Sequence, residues 1–144
     1  MTFLLDTNVV SELRRLDRAN PNVVAWATSV DAEDLYLSAV TLMEVELGAV
    51  QIARREPARG AELRAWIDDH LLRHFARRIL AFDTAAALRC AALHVPDRKP
   101  ERDAMIAATA FVHTLTVVTR NTRDFRSAGV KVLNPWLALA ERGE

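Results

Sequence analysis

The sequence predicts an α/β domain built on a central, mostly parallel sheet. Three observations predict it. Short, uniformly apolar runs alternate with longer amphipathic or alanine-rich stretches, as expected when strands are buried on both faces between helices. A length of 144 residues suits one domain, 1–144, with no second. Hydrophobic residues make up 51% and charged residues 26%, a globular balance.

The first run, Thr2-Phe3-Leu4-Leu5, reads as a buried strand. From Thr7, the apolar residues Val9, Val10 and Leu13 indicate a short helix ending among Arg14, Arg15 and Arg18. Asn20-Pro21 starts another helix, with Val23, Val24, Trp26 and Ala27 as its apolar face. Residues 35–40 form a second strand, after which Thr41 opens a helix reaching about Arg55, and Pro57 ends it. Leu63, Trp66, Ile67, His70, Leu71, His74 and Phe75 then fall on one helical stripe. Residues 79–82 are a third strand, and Asp83 caps an alanine-rich helix toward His94. A loop bounded by Pro96 and Pro100 leads into a helix over 101–113, a fourth strand over 115–119 and a fifth over 130–133.

Lys+Arg and Asp+Glu both number 19, which argues against nucleic-acid binding by bulk positive charge but not against local contact. Residues 1–50 hold eight acids against three arginines, whereas 51–80 hold seven arginines against four acids. Only Lys99 and Lys131 are lysines; arginine suits phosphate recognition, and codon bias explains the excess equally well. Cys90 is the single cysteine, so neither an intrachain disulfide nor a Cys-based zinc site can form. The apolar stretches are too short for a signal segment or a membrane span, and the chain reads as a soluble cytoplasmic domain without membrane association.

Ligands of parallel sheets bind outside the carboxyl ends of the strands. Asp6 follows the first strand, Glu44 lies in the first turn after the second, and Asp124 lies just beyond the fourth. Asp103 lies near the start of the helix that runs back into the fourth strand, so all four acids can reach one sheet edge, with no lysine among them. Each has an ordinary alternative. Asp6 suits a turn or a helix cap, Asp124 suits a turn, Asp103 suits a helix N-terminus, and Glu44 can close a T-x-x-E capping box with Thr41. Together they point to a metal, because clustered carboxylates repel one another unless a cation joins them. Oxygen-only ligands favour Mg²⁺ or Mn²⁺ over zinc. Arg120, Arg123 and Arg126 surround Asp124 and are candidates for holding a phosphate backbone, with a solvated loop as the alternative.

Other constellations carry less. His70 and His74 form H-x-x-x-H without the glutamate of a metalloprotease motif, and both read as packing residues of the apolar stripe. Trp26, Trp66 and Phe75 read as core or interface, and four glycines supply no phosphate-cradling loop.

Four blocks occur in order: Leu5-Asp6-Thr7-Asn8, Thr41-Leu42-Met43-Glu44, Asp103 through Ala110, and Val118 through Phe125. With these blocks the chain resembles the PIN-domain ribonucleases, specifically VapC-type toxins of type II toxin–antitoxin modules in the FitB-like branch. The resemblance spans 3–135 and leaves 51–100 without a catalytic motif. It implies a three-layer α/β/α sandwich, metal-dependent cleavage of RNA phosphodiesters, a cognate antitoxin, and a homodimer or larger toxin–antitoxin assembly. It also implies Asp6 and Asp103 as direct metal ligands, with Glu44 and Asp124 completing a catalytic acidic site. Thr7, Thr119 and Asn121 become polar neighbours that orient carboxylates or hold water. The antitoxin is expected to send a cationic side chain into the acids and to lay an apolar helix in an adjacent groove. A PIN nuclease of RNA processing or quality control, and a non-catalytic PIN scaffold, remain alternatives. A haloacid-dehalogenase-like phosphatase would need a second aspartate where Asn8 stands.

Overall fold

A computed structural model describes residues 1–142; the last two residues of the expected 1–144 domain lie outside the described residues. The sheet has five strands, β1 (Phe3–Leu5), β2 (Leu35–Ser38), β3 (Ile79–Leu80), β4 (Thr116–Val118) and β5 (Val132–Leu133), ordered β3-β2-β1-β4-β5. Every pairing is parallel. The chain winds outward from β1 to β3, then crosses back and continues through β4 and β5. The winding therefore reverses between β1 and β4, the place where such sheets bind ligands.

Pleating sends alternate side chains to opposite faces. Leu4 and Val117 enter one core with Ile106, Ala107 and Phe125, whereas Phe3, Leu5 and Val118 enter another with Val9, Trp26 and Leu71. The first core lies under α6 (Thr84–Leu93), α7 (Glu101–His113) and α8 (Thr122–Arg126); the second lies under α1 (Thr7–Leu13) and α2 (Pro21–Ser29). Three layers result, as expected. The buried alanines of α7 let it pack against α6 and the sheet at close range.

Several expectations need correction. The helix after β2, α3 (Ala39–Arg55), begins two residues earlier than Thr41. Ser38 is its N-cap, and its Oγ accepts the Thr41 backbone N–H at 3.0 Å. The capping box of Thr41 and Glu44 therefore does not form. The strand expected over 35–40 ends at Ser38 because that cap turns the chain into helix.

The expected stripe through His70 and His74 also breaks. Helix α4 (Pro57–Trp66) continues through a π turn, Ile67–Leu71, into α5 (Leu72–His74). A π turn carries more residues per rotation, which shifts the phase. Ile67, Leu71 and Phe75 are buried, while both histidines are exposed. Asp124 lies in the short helix α8, not in a turn, and Phe125 anchors that helix with no exposed surface.

Candidate active site

The acids gather at the carboxyl end of β1 and β4. Asp6 is held there by its backbone, whose N–H donates to the Val118 carbonyl at 2.9 Å. Its side chain caps α1, with Oδ1 accepting the Thr7 N–H at 2.8 Å. Oδ2 accepts the Thr119 hydroxyl at 2.7 Å and the Asn8 amide at 3.4 Å. Asp6 is buried, whereas Glu44, Asp103 and Asp124 are half-buried, so the cluster opens toward solvent.

Thr7 joins the second acid to the first, its hydroxyl donating to Glu44 Oε1 at 2.8 Å. Asn121 joins the other two, its Nδ2 donating to Asp103 Oδ2 at 3.1 Å and to Asp124 Oδ2 at 2.9 Å. The Asn121 backbone N–H in turn donates to Thr119 Oγ1 at 2.9 Å. The structure thus brings all four acids and the three polar neighbours into one hydrogen-bonded assembly.

Burial and mutual repulsion both disfavour the charged form of these carboxyls. Burial, then the charges of Asp6, Asp124 and Glu44, push the Asp103 carboxyl up to about 6. Burial also raises Asp6, against the hydrogen bonds from Thr119 and Thr7 that favour its charged form. One cation does approach: Arg102 Nη1 lies 3.5 Å from Glu44 Oε2. It neighbours Asp103 in sequence, and only the fold carries it to Glu44. No lysine stands among the acids, but this arginine offsets part of their charge.

Among the described residues, no three His, Cys, Asp or Glu side chains converge tightly enough to enclose a metal by themselves. The donor set nevertheless fits a hard divalent cation. It is all oxygen, and Mg²⁺ is ordinarily held by one or two carboxylates while keeping several waters.

The three candidate RNA-binding arginines are all exposed. Arg123 and Arg126 lie on α8. Arg120 lies over the Trp136 ring, 5.2 Å from its centroid. An apolar groove of about 910 Å³ opens between α1, α2 and the π turn, lined by Val10, Leu13, Ala27, Trp66 and Phe75. Leu5, the residue before Asp6, also lines it.

Sequence reasoning passed over Ser38, Asn8, Arg102 and Trp136. Asn8 carried a usable signal, since a second polar amide within three residues of a strand-end aspartate can reach the same carboxylate. Trp136 carried none.

A family model of the PIN domain matches residues 3–131. The chain belongs to the PIN domain family. This PIN domain is 41% identical to toxin FitB of Neisseria gonorrhoeae over 139 residues, covering 93% of this chain and 98% of that protein. It is 36% identical to VapC ribonuclease Y4jK of Sinorhizobium fredii over 141 residues, covering 93% and 97% respectively. It also resembles a crystal structure of FitAcB from Neisseria gonorrhoeae, with a TM-score of 0.86 at 40% identity, covering 94% of this chain and 99% of that one. A toxin–antitoxin complex from Klebsiella pneumoniae matches with a TM-score of 0.65 at 29% identity, covering 93% and 98%. No helix among the described residues is long and apolar enough to cross a membrane.

Proposed function

We propose that this PIN domain is the toxin of a toxin–antitoxin pair, an endoribonuclease that hydrolyses RNA phosphodiesters in the cytoplasm with Mg²⁺ or Mn²⁺. The observation that carries the reading is the assembly of four carboxylates at the β1–β4 switch point, linked by Thr119, Thr7 and Asn121. Likeness to a named toxin and a named VapC ribonuclease across more than nine-tenths of the chain supports the same reading.

Asp6 and Asp103 would hold the metal directly, with Glu44 and Asp124 acting through water. A divalent cation at such a site supplies positive charge at the phosphodiester and lowers the pKa of water. The protein's own part is positional. Thr119 and Asn8 keep one Asp6 oxygen in place, Thr7 orients Glu44, and Asn121 sets the spacing of Asp103 and Asp124.

The partner is a cognate antitoxin, and the working assembly is a homodimer or larger toxin–antitoxin complex. The acidic mouth suits a guanidinium from that partner, and the apolar groove suits an amphipathic helix. The test is cleavage of total RNA by purified protein with Mg²⁺, with excess EDTA, and with Asp6→Asn. Asparagine can still cap α1, so the variant folds. Cleavage with Mg²⁺ alone, lost in the other two arms, is expected; full activity in EDTA overturns the metal reading. Rescue of growth on co-expression of a short gene, if one adjoins this one, tests the partner.

A further inference from the structure

The guanidinium of Arg120 is placed for a role beyond charge. Arg120 follows Thr119, and its backbone N–H donates to Asn8 Oδ1 at 3.3 Å. The amide of Asn8 donates to both Asp6 Oδ2 and Thr119 Oγ1. One side chain therefore ties the root of Arg120 to the acidic cluster.

Trp136 is fastened beneath it. Its backbone N–H donates to Asn134 Oδ1 at 3.0 Å, and its carbonyl accepts from Asn22 Nδ2 at 2.8 Å. The half-buried indole packs against the core that holds Phe3 and Trp26. Arg120 itself is exposed and enters none of the ion pairs found among the described residues, although four carboxylates share its edge of the sheet. Two other arginines lie over aromatic rings, and neither borders the acids. Arg89 covers Phe111 on α6 and α7, and Arg78 covers Phe75 while donating to the backbone carbonyls of Ala32 and Leu35.

We propose that Arg120, laid on Trp136, is a platform on which one unpaired RNA base stacks beside the phosphate to be cleaved. The proposal rests on the ribonuclease reading above. A guanidinium is planar by its own delocalisation and stacks on any base face, and the attraction of the indole face restrains where that plane lies. Bases inside a duplex are already stacked on their neighbours, so the platform selects single-stranded or looped RNA. It also fixes the cut relative to the stacked base, making Arg120 a specificity-determining residue.

The test uses a short oligoribonucleotide spanning a cleavage site mapped in total RNA, intact or with one abasic ribose at each position in turn. With the parent protein, one abasic position next to the cut should raise KM about tenfold. Arg120→Lys keeps the charge and loses the plane. It should raise KM for the intact substrate by a similar factor, show no further abasic penalty, and leave the salt dependence of binding unchanged. Trp136→Phe retains a ring and should keep the penalty; Trp136→Leu should lose it, with melting curves checking that both fold. An abasic series that is flat for the parent, or the same penalty in Arg120→Lys, overturns the platform. Failure of the parent to cleave any RNA overturns the ribonuclease reading instead.

Discussion

Ser38, not Glu44, closes the first turn of α3 by accepting the Thr41 backbone N–H at 3.0 Å. The fold thereby separates two jobs that the sequence let one residue claim. Glu44 is released from capping and turns toward Thr7 and Arg102.

A crossed pair of variants follows from that relationship. Ser38→Ala should cost about 1 kcal/mol of stability, the usual loss for an N-cap, and retain cleavage. Glu44→Gln can still accept the Thr7 hydroxyl, so its stability should change by less than about 1 kcal/mol. It removes a negative charge from the acidic site, so Mg²⁺ affinity and cleavage should fall steeply. Thermal melts and cleavage rates on the two proteins decide it; parental cleavage by Glu44→Gln would remove Glu44 from the site.

The raised carboxyl of Asp103 makes the metal-free protein pH-sensitive. Between its ordinary value of 3.8 and the folded value of about 6, the native state binds more protons than the unfolded state. Stability therefore falls as pH rises through that window, and the upward shift of Asp6 acts in the same direction. Melting in EDTA should be higher near pH ~5 than near pH ~7. Asp103→Asn should flatten this dependence and raise the neutral-pH Tm while abolishing cleavage, and added Mg²⁺ should raise the parent's Tm at neutral pH. A metal-free Tm that climbs from mildly acid to neutral pH would contradict the assignment.

Asn121 spaces Asp103 and Asp124 through one amide nitrogen. Asn121→Ala removes that donor from an exposed position, so its stability should stay within about 0.5 kcal/mol of the parent. The two carboxylates would then repel without a shared donor. Calorimetric titration should show weaker Mg²⁺ binding, with cleavage falling in parallel. Unchanged Mg²⁺ affinity would reduce Asn121 to a surface residue.

Arg123 and Arg126 flank Asp124 on α8 and face solvent. If each contacts a phosphate, Arg123→Gln and Arg126→Gln should each lower the slope of log K against log salt by about 0.7, one single-strand contact. Salt titrations of RNA binding that superpose on the parent's would return both to a solvated helix face.

Much of this protein was legible in the chain. The alternation of apolar runs with helical stretches identified the parallel α/β class, because burial on both sheet faces leaves few polar positions in the strands. Asp83 and Asn20-Pro21 marked their helix starts correctly, since caps act within three residues. The four acids could be nominated because each sits a short step from a strand end or helix start. Longer-range features were not legible. Thr7 meets Glu44 across 37 positions, Thr119 meets Asp6 across 113, and Arg102 turns from its neighbour Asp103 to Glu44. The π turn rotated His70 and His74 out of a stripe that 3.6-residue periodicity had put them in. Ser38 took the cap from Thr41, so β2 stops at Ser38, two residues short of the run that composition suggested. Local propensity names the candidates; the order of strands around β1 decides which of them meet.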